Sequence, residues 1–165
     1  MDSFLKILNT YKLKQEPRDL FNNYYDNKSQ KNIKRHETVA EHIYSCLKLA
    51  DYLLSNEKEF SRLNKLKVFD LIMYHDDIEI ITGDIGILDF KNRKNKNKKE
   101  QEALKELKKI YPKNIFEKFH KLNTEYIKQQ TPEAIFVKTL DKLDGHIQAR
   151  LFPRKKDKIY DQEII

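Results

Sequence analysis

The stretch TVAEHIYSCLKLADYLLS, residues 38–55, constrains the fold more than any other part of the chain. Thr38 offers an N-cap hydroxyl and Glu41 stands three residues on, the reciprocal pairing that satisfies two orphan donors at a helix start. Val39, Ile43, Cys46, Leu47, Ala50, Leu53 and Leu54 then recur along one helical face. A helix this amphipathic has to bury its stripe against partners, and the rest of the sequence supplies helices to do so. NEKEFSRLNKLKVFDLIMYHD predicts a second helix, capped through Asn56 and Glu59 and carrying Phe60, Leu63, Leu66, Phe69, Ile72 and Met73. Helical patterning returns from Lys98 to Ile110, and again from Pro112 to near Gln130. Thr131 and Pro132, a cap followed by proline at the first helical position, open a last helix that reaches Leu151. Before all of these, Ser3 to Lys14 places Phe4, Ile7, Leu8 and Tyr11 on one face, and Pro17 ends the pattern.

Only 3 glycines and 4 prolines interrupt these patterns, and no alternating strand pattern exceeds three or four residues. The expected architecture is all-α, a bundle of about six to seven helices, in a single domain over residues 1–165 with its core near 36–151. NNYYDNKSQKNIK reads as a loop or a frayed extension, and TGDIGILDF, with Gly83 and Gly86, as a loop. KNRKNKNKKE, which includes the basic run 91–99, reads as a low-complexity segment, mobile at the edge of a site or simply solvated.

The lone Cys46 excludes a disulfide framework and a cysteine-rich zinc site. No stretch is apolar enough to span a membrane and no signal peptide opens the chain, so a cytoplasmic protein with no membrane partner is expected. The net charge of +7 suits a phosphate-bearing partner and equally suits a solvated lysine-rich surface. A nucleic acid is the less favoured partner, because the basic run has no interleaved aromatics for base stacking.

Three separated elements carry ligand-type residues. His42 lies in the first turns of its helix and flanks the apolar stripe. His75 and Asp76 end the next helix in YHDDIEIITGD. Asp141, or Asp144, stands on the last helix. Two imidazoles and two carboxylates suit a divalent transition metal. Each residue alone has a plainer reading: a hydrogen-bonded core histidine, a polar helix end, or a surface acid.

Together, ETVAEH, HDDIEIITGD and KTLDKLDG resemble the HD-domain metal-dependent phosphohydrolases, and among them the small 5'-nucleotidase group. The resemblance extends from about Leu13 to Arg150 and implies a helical HD-domain fold. It implies metal ligands at His42, His75, Asp76 and Asp141, with Asp144 the fallback for Asp141, since Asp144 lies slightly nearer the apolar face of its helix. Asp77 then reads as a solvent-facing or supporting acid, and His36, His120 and His146 as structural or surface residues. The resemblance further implies Glu79 as the catalytic acid/base, Asp84 as a sugar contact, and Arg18 in LKQEPRDLF as the residue that takes substrate phosphate. Leu20 and Phe21 replace the glycine and tryptophan that the family carries there. Arg35 is the second phosphate candidate.

The activity implied is removal of the 5'-phosphate from (deoxy)ribonucleoside monophosphates by a metal-activated water. The cofactor is one divalent metal ion: Mn, Co, Fe, Ni or Zn, with Mg also among the candidates. A small-molecule nucleotide is the expected substrate and a homodimer the expected assembly. The competing readings are an HD hydrolase of another nucleotide, of alarmone type, and a non-catalytic basic helical binder of nucleotides or nucleic acid.

Overall fold

The computed structural model describes residues 3–18, 23–26, 31–85 and 96–151. Helix α1 (Ser3–Ile7) continues into a 3-10 helix (Leu8–Lys14). Four helices form the centre of the bundle: α2 (Val39–Asn56), α3 (Lys65–Tyr74), α6 (Lys113–Lys128) and α7 (Pro132–Leu151). They pack on one another, with α3 in contact with α2, α6 and α7. The four-residue α4 (Glu79–Thr82) and the longer α5 (Lys96–Ile110) complete it. No described helix is long and apolar enough to cross a membrane.

The capping box forms as the sequence predicts: Thr38 Oγ1 accepts from the Glu41 amide at 3.3 Å, and the Thr38 amide donates to Glu41 Oε2 at 2.9 Å. The second helix starts differently. Its N-cap is Asn64, whose Oδ1 accepts from the Lys67 amide at 3.0 Å. Helix α2 extends through Asn56, and Lys58–Phe60 form a 3-10 turn. Asn56 is thus consumed as the last helical residue, where its side chain donates to the Tyr52 carbonyl.

Two further expectations are corrected. The polar stretch after Pro17 contains an antiparallel hairpin, Asn23–Asp26 (β1) against Lys31–Lys34 (β2), with Tyr24 opposite Ile33. Each strand has only four residues, so periodicity could not show them. Helix α5 begins at Lys96, inside the basic run, two residues earlier than the apolar pattern starts. Leu20, Phe21 and Gly86 lie outside the described residues.

Two buried clusters meet at α2. One joins Cys46 and Ala50 to Leu71, Ile72, Leu122, Val137 and Leu140 from α3, α6 and α7. The other joins Val39 to Leu13, Ile78, Leu107, Tyr111 and Phe119. His42 lies on α2 between Val39 and Cys46, so the helical period places it between the two clusters, fully buried.

Candidate metal centre

The two ring nitrogens of His42 face different partners. Nδ1 lies 2.6 Å from Asp144 Oδ2 on α7. Nε2 lies 3.3 Å from Asp141 Oδ1 and 3.6 Å from Asp76 Oδ2. Burial alone would lower the His42 pKa, but the hydrogen bonds with Asp141 and Asp144 outweigh it and raise it well above the usual histidine value.

His75 follows the last residue of α3, where the chain turns toward α4. Its Nδ1 donates to the Ile72 carbonyl at 2.8 Å, which fixes the proton there, because a carbonyl only accepts. Asn123 donates to the His75 carbonyl, tying the turn to α6. Nε2 of His75 is therefore an acceptor, buried and without a hydrogen-bond partner, although Asp76 Oδ2 lies 3.1 Å away. The contact is short but lacks hydrogen-bond geometry, and with the ring neutral it is not an ion pair. Two acceptors so close repel unless a positive charge lies between them.

Asp141 is held from its far side. Its Oδ2 accepts from Tyr126 OH at 2.7 Å and from Lys138 Nζ at 3.0 Å, and Lys138 also donates to Tyr126 OH at 2.7 Å. Burial pushes the Asp141 carboxyl up, yet the His42 hydrogen bond, the charge that His75 carries when its ring is protonated, and Lys138 hold it well below the usual carboxylate range. Burial also pushes Asp76 up, and a protonated His75 is the chief influence that lowers it. Nε2 of both histidines lies beside Asp76 Oδ2, Asp141 Oδ1 lies beside His42 Nε2, and one ligand atom each from His42, His75 and Asp141 lies within 4.8 Å of the others. The orphaned Nε2 and the carboxylates around it fit a divalent cation by donor type and by charge. His42, Cys46 and Asp144 also cluster. Burial raises the Cys46 thiol pKa, and Nδ1 of His42 already serves Asp144, so that trio is the poorer donor set.

The acids and the arginine named from the sequence gather beside this group. Burial, then the charges of Asp76 and Asp84, raise the Glu79 pKa well above the ordinary value. Burial lowers the Arg18 pKa, but Asp76, Glu37, Asp84 and Asp141 more than restore it. These mutual effects place Arg18, Asp84 and Glu79 within electrostatic reach of Asp76. Arg35 lies elsewhere: it is exposed and pairs with Glu41 at 2.7 and 3.0 Å, which ties it to the first turn of α2.

Asp77 is not solvent-facing. It is buried and accepts from Tyr111 OH at 2.8 Å, and burial pushes its carboxyl up to about 7. His36, His120 and His146 are exposed, as expected of surface residues. Sequence reasoning missed Tyr126, Lys138, Tyr111 and Glu37. Only Lys138 carried a local signal, being three residues before Asp141 on one helical face.

A family model described as HD domain matches residues 10–164. The chain is 33% identical over 119 residues to the 5'-deoxynucleotidase HDDC2 of Homo sapiens, covering 72% of this chain and 56% of the relative. It is 31% identical over 127 residues to the 5'-deoxynucleotidase hdd1 of Schizosaccharomyces pombe, covering 74% of this chain and 62% of that protein. The matches thus span little more than half the length of these relatives. Among solved structures, a conserved hypothetical protein from Pyrococcus furiosus superposes with a TM-score of 0.70 at 27% identity, covering 96% of this chain and 88% of that one. A predicted metal-dependent phosphohydrolase from Magnetospirillum magnetotacticum shares the fold, with a TM-score of 0.67 at 24% identity over 87% of this chain and 66% of that one. The helical architecture, the His and His-Asp pieces brought together from separate helices, and the match over nearly the whole chain agree: the chain belongs to the HD-domain family.

Proposed function

We propose that this protein is a metal-dependent phosphomonoester hydrolase that removes the 5'-phosphate of (deoxy)ribonucleoside monophosphates. The observation that carries the reading is the convergence of His42 Nε2, His75 Nε2 and Asp141 Oδ1 beside Asp76, with the outer atoms of His42, His75 and Asp141 already occupied. In this reading His42, His75, Asp76 and Asp141 hold one divalent metal ion, and Asp144 supports His42. Imidazole and carboxylate suit Mn, Fe, Co, Ni or Zn, and Mg is admissible. When bound, the cation supplies Lewis acidity toward a phosphoryl oxygen and toward water.

The chain's own residues do the rest. Arg18 donates to the phosphate, whose oxygens its planar fork matches. Glu79, whose raised pKa makes it a stronger base than an ordinary glutamate, takes in its ionised form a proton from the water as its oxygen bonds to phosphorus. The P–O bond to the sugar breaks, and Glu79 returns that proton to the leaving 5'-oxygen. Asp84 receives the sugar. Arg35, in its exposed position, is a second contact for phosphate only after leaving Glu41. The similarity to proteins known as 5'-deoxynucleotidases supports the substrate class. A homodimer and a cytoplasmic location belong to the same reading.

The test is phosphate release from a panel of deoxy- and ribonucleoside 5'-monophosphates with Mn, Co, Zn or Mg added. Release should require metal and should vanish in His75→Ala and Asp76→Ala. Activity that survives either substitution rules out the metal reading, and turnover confined to other phosphoesters rules out the nucleotidase assignment.

A further inference from the structure

Resting on the reading of Arg18 as the phosphate residue, we propose that Glu37 is the positioning residue that holds the Arg18 guanidinium for phosphate. Two stretches of backbone lie side by side here. The Arg18 amide donates to the Glu37 carbonyl at 2.7 Å, the Val39 amide donates to the Glu16 carbonyl at 3.0 Å, and Pro17 pairs with Thr38 between them. Arg18 and Glu37 are thus neighbours across a short antiparallel bridge, and their side chains meet again: Arg18 Nε lies 3.9 Å from Glu37 Oε2. The Glu37 side chain is only 3% exposed and that of Arg18 15%.

A carboxylate buried this deeply is retained only beside a counter-charge. Arg18 is the leading charge that stabilises the ionised Glu37, ahead of His42. Glu37 engages the guanidinium through its Nε edge by charge, at a distance too long for a hydrogen bond. At the other end of the guanidinium, Nη1 is buried and has no hydrogen-bond partner. Asp76, Asp84 and Asp141 all act on Arg18, so the guanidinium lies within electrostatic reach of the candidate metal centre. A buried carboxylate beside the Nε edge draws the guanidinium charge to that side and leaves the remaining donors for an incoming anion. Without Glu37 the charges acting on the guanidinium are those of Asp76, Asp84 and Asp141, which draw it against the carboxylates instead of leaving it for phosphate.

The experiment compares wild type, Glu37→Gln, Glu37→Asp and Arg18→Gln, all loaded with Mn(II). It measures binding of inorganic phosphate by calorimetry, Mn(II) affinity by titration, and steady-state KM and kcat on a deoxynucleoside 5'-monophosphate. Glu37→Gln should weaken phosphate binding on the order of tenfold, in keeping with one charge-assisted contact. It should raise KM more than it lowers kcat and leave Mn(II) affinity in place, and Glu37→Asp should recover part of the loss. Wild-type phosphate affinity in a folded Glu37→Gln protein overturns the inference, and so does a parallel loss of Mn(II) affinity, which would place Glu37 in support of the metal ligands. If Glu37→Gln does not fold, Glu37→Asp decides: its shorter reach should weaken phosphate binding, and unchanged binding overturns the inference. Failure of wild type to bind phosphate, or unaltered binding in Arg18→Gln, overturns the role of Arg18 itself and this inference with it.

Discussion

His42 and Asp144, on helices at opposite ends of the sequence, meet in the core with Nδ1 and Oδ2 2.6 Å apart. An aspartate oxygen at Nδ1 calls for the proton on that nitrogen and leaves Nε2 to face Asp76 and Asp141. Asp144 therefore orients a ligand in the proposed centre without being one. Asp144→Asn should lower Mn(II) affinity by about 10–100-fold, the usual size of losing a partner behind a metal-bound histidine. Equilibrium titration with Mn(II) measures it, and an unaltered affinity would show that Asp144 is only a packing residue.

Glu79 is separated from the ligand set by one short turn, and burial, then its neighbours Asp76 and Asp84, make it hold a proton more tightly than an ordinary glutamate. Glu79→Gln keeps the shape and removes the proton transfer. Turnover should fall by about 10²–10⁴-fold, with Mn(II) affinity little changed. A fall matched by an equal loss of metal would instead make Glu79 a ligand.

Glu37 gives a pH dependence of stability with a definite sign. Burial raises its carboxyl to about 7; Arg18 and His42 oppose the shift, and Asp144 and Glu41 add to it. A carboxyl raised above its unfolded value favours the folded state fully below the unfolded pKa. That contribution is lost as pH rises through about 7. Glu37→Gln does not titrate, so between pH 5 and pH 8 it should gain about 2 kcal/mol on wild type. Urea unfolding at the two pH values checks this. A variant that is more stable at pH 8 yet binds phosphate less well separates function from folding at this position.

The bond between Tyr111 OH and Asp77 Oδ2 fastens the end of α5 to the turn that carries His75 and Asp76. Tyr111→Phe leaves Asp77 buried without that donor and should cost about 1–3 kcal/mol of stability. It should also raise the Asp77 pKa further, because the tyrosine hydrogen bond is the main force opposing burial there. Chemical denaturation at pH 8 measures the first effect. No change in stability would mean that water serves Asp77 equally well.

The helical projection of the last helix illustrates how far the sequence can be followed. It ranks Asp144 nearer the apolar face, and Asp144 is indeed buried while Asp141 is partly exposed. Burial, however, marks the aspartate at His42 Nδ1, while the family pattern points to the one on the Nε2 side. Asp77 misleads in the opposite way: its place in an acidic run suggests solvent, yet Tyr111 gives it a buried partner from 34 residues away. The false start at Asn56 has a local cause, since Asn56 and Asn64 both precede polar residues and apolar spacing, and a single sequence does not rank them.

The sequence by itself determined the helices, the Thr38 cap, the single bundle and the identity of the His and His-Asp pieces. These depend on periodicity and on side chains a few residues apart, which the chain encodes locally. Tertiary structure alone decided which nitrogen of His42 faces which aspartate, that Tyr126 holds Asp141, and that Glu37 lies against Arg18. Each of these is a contact between elements, and its geometry arises from packing α2 against α3 and α7, α6 against α7, and the segment before the hairpin against the start of α2.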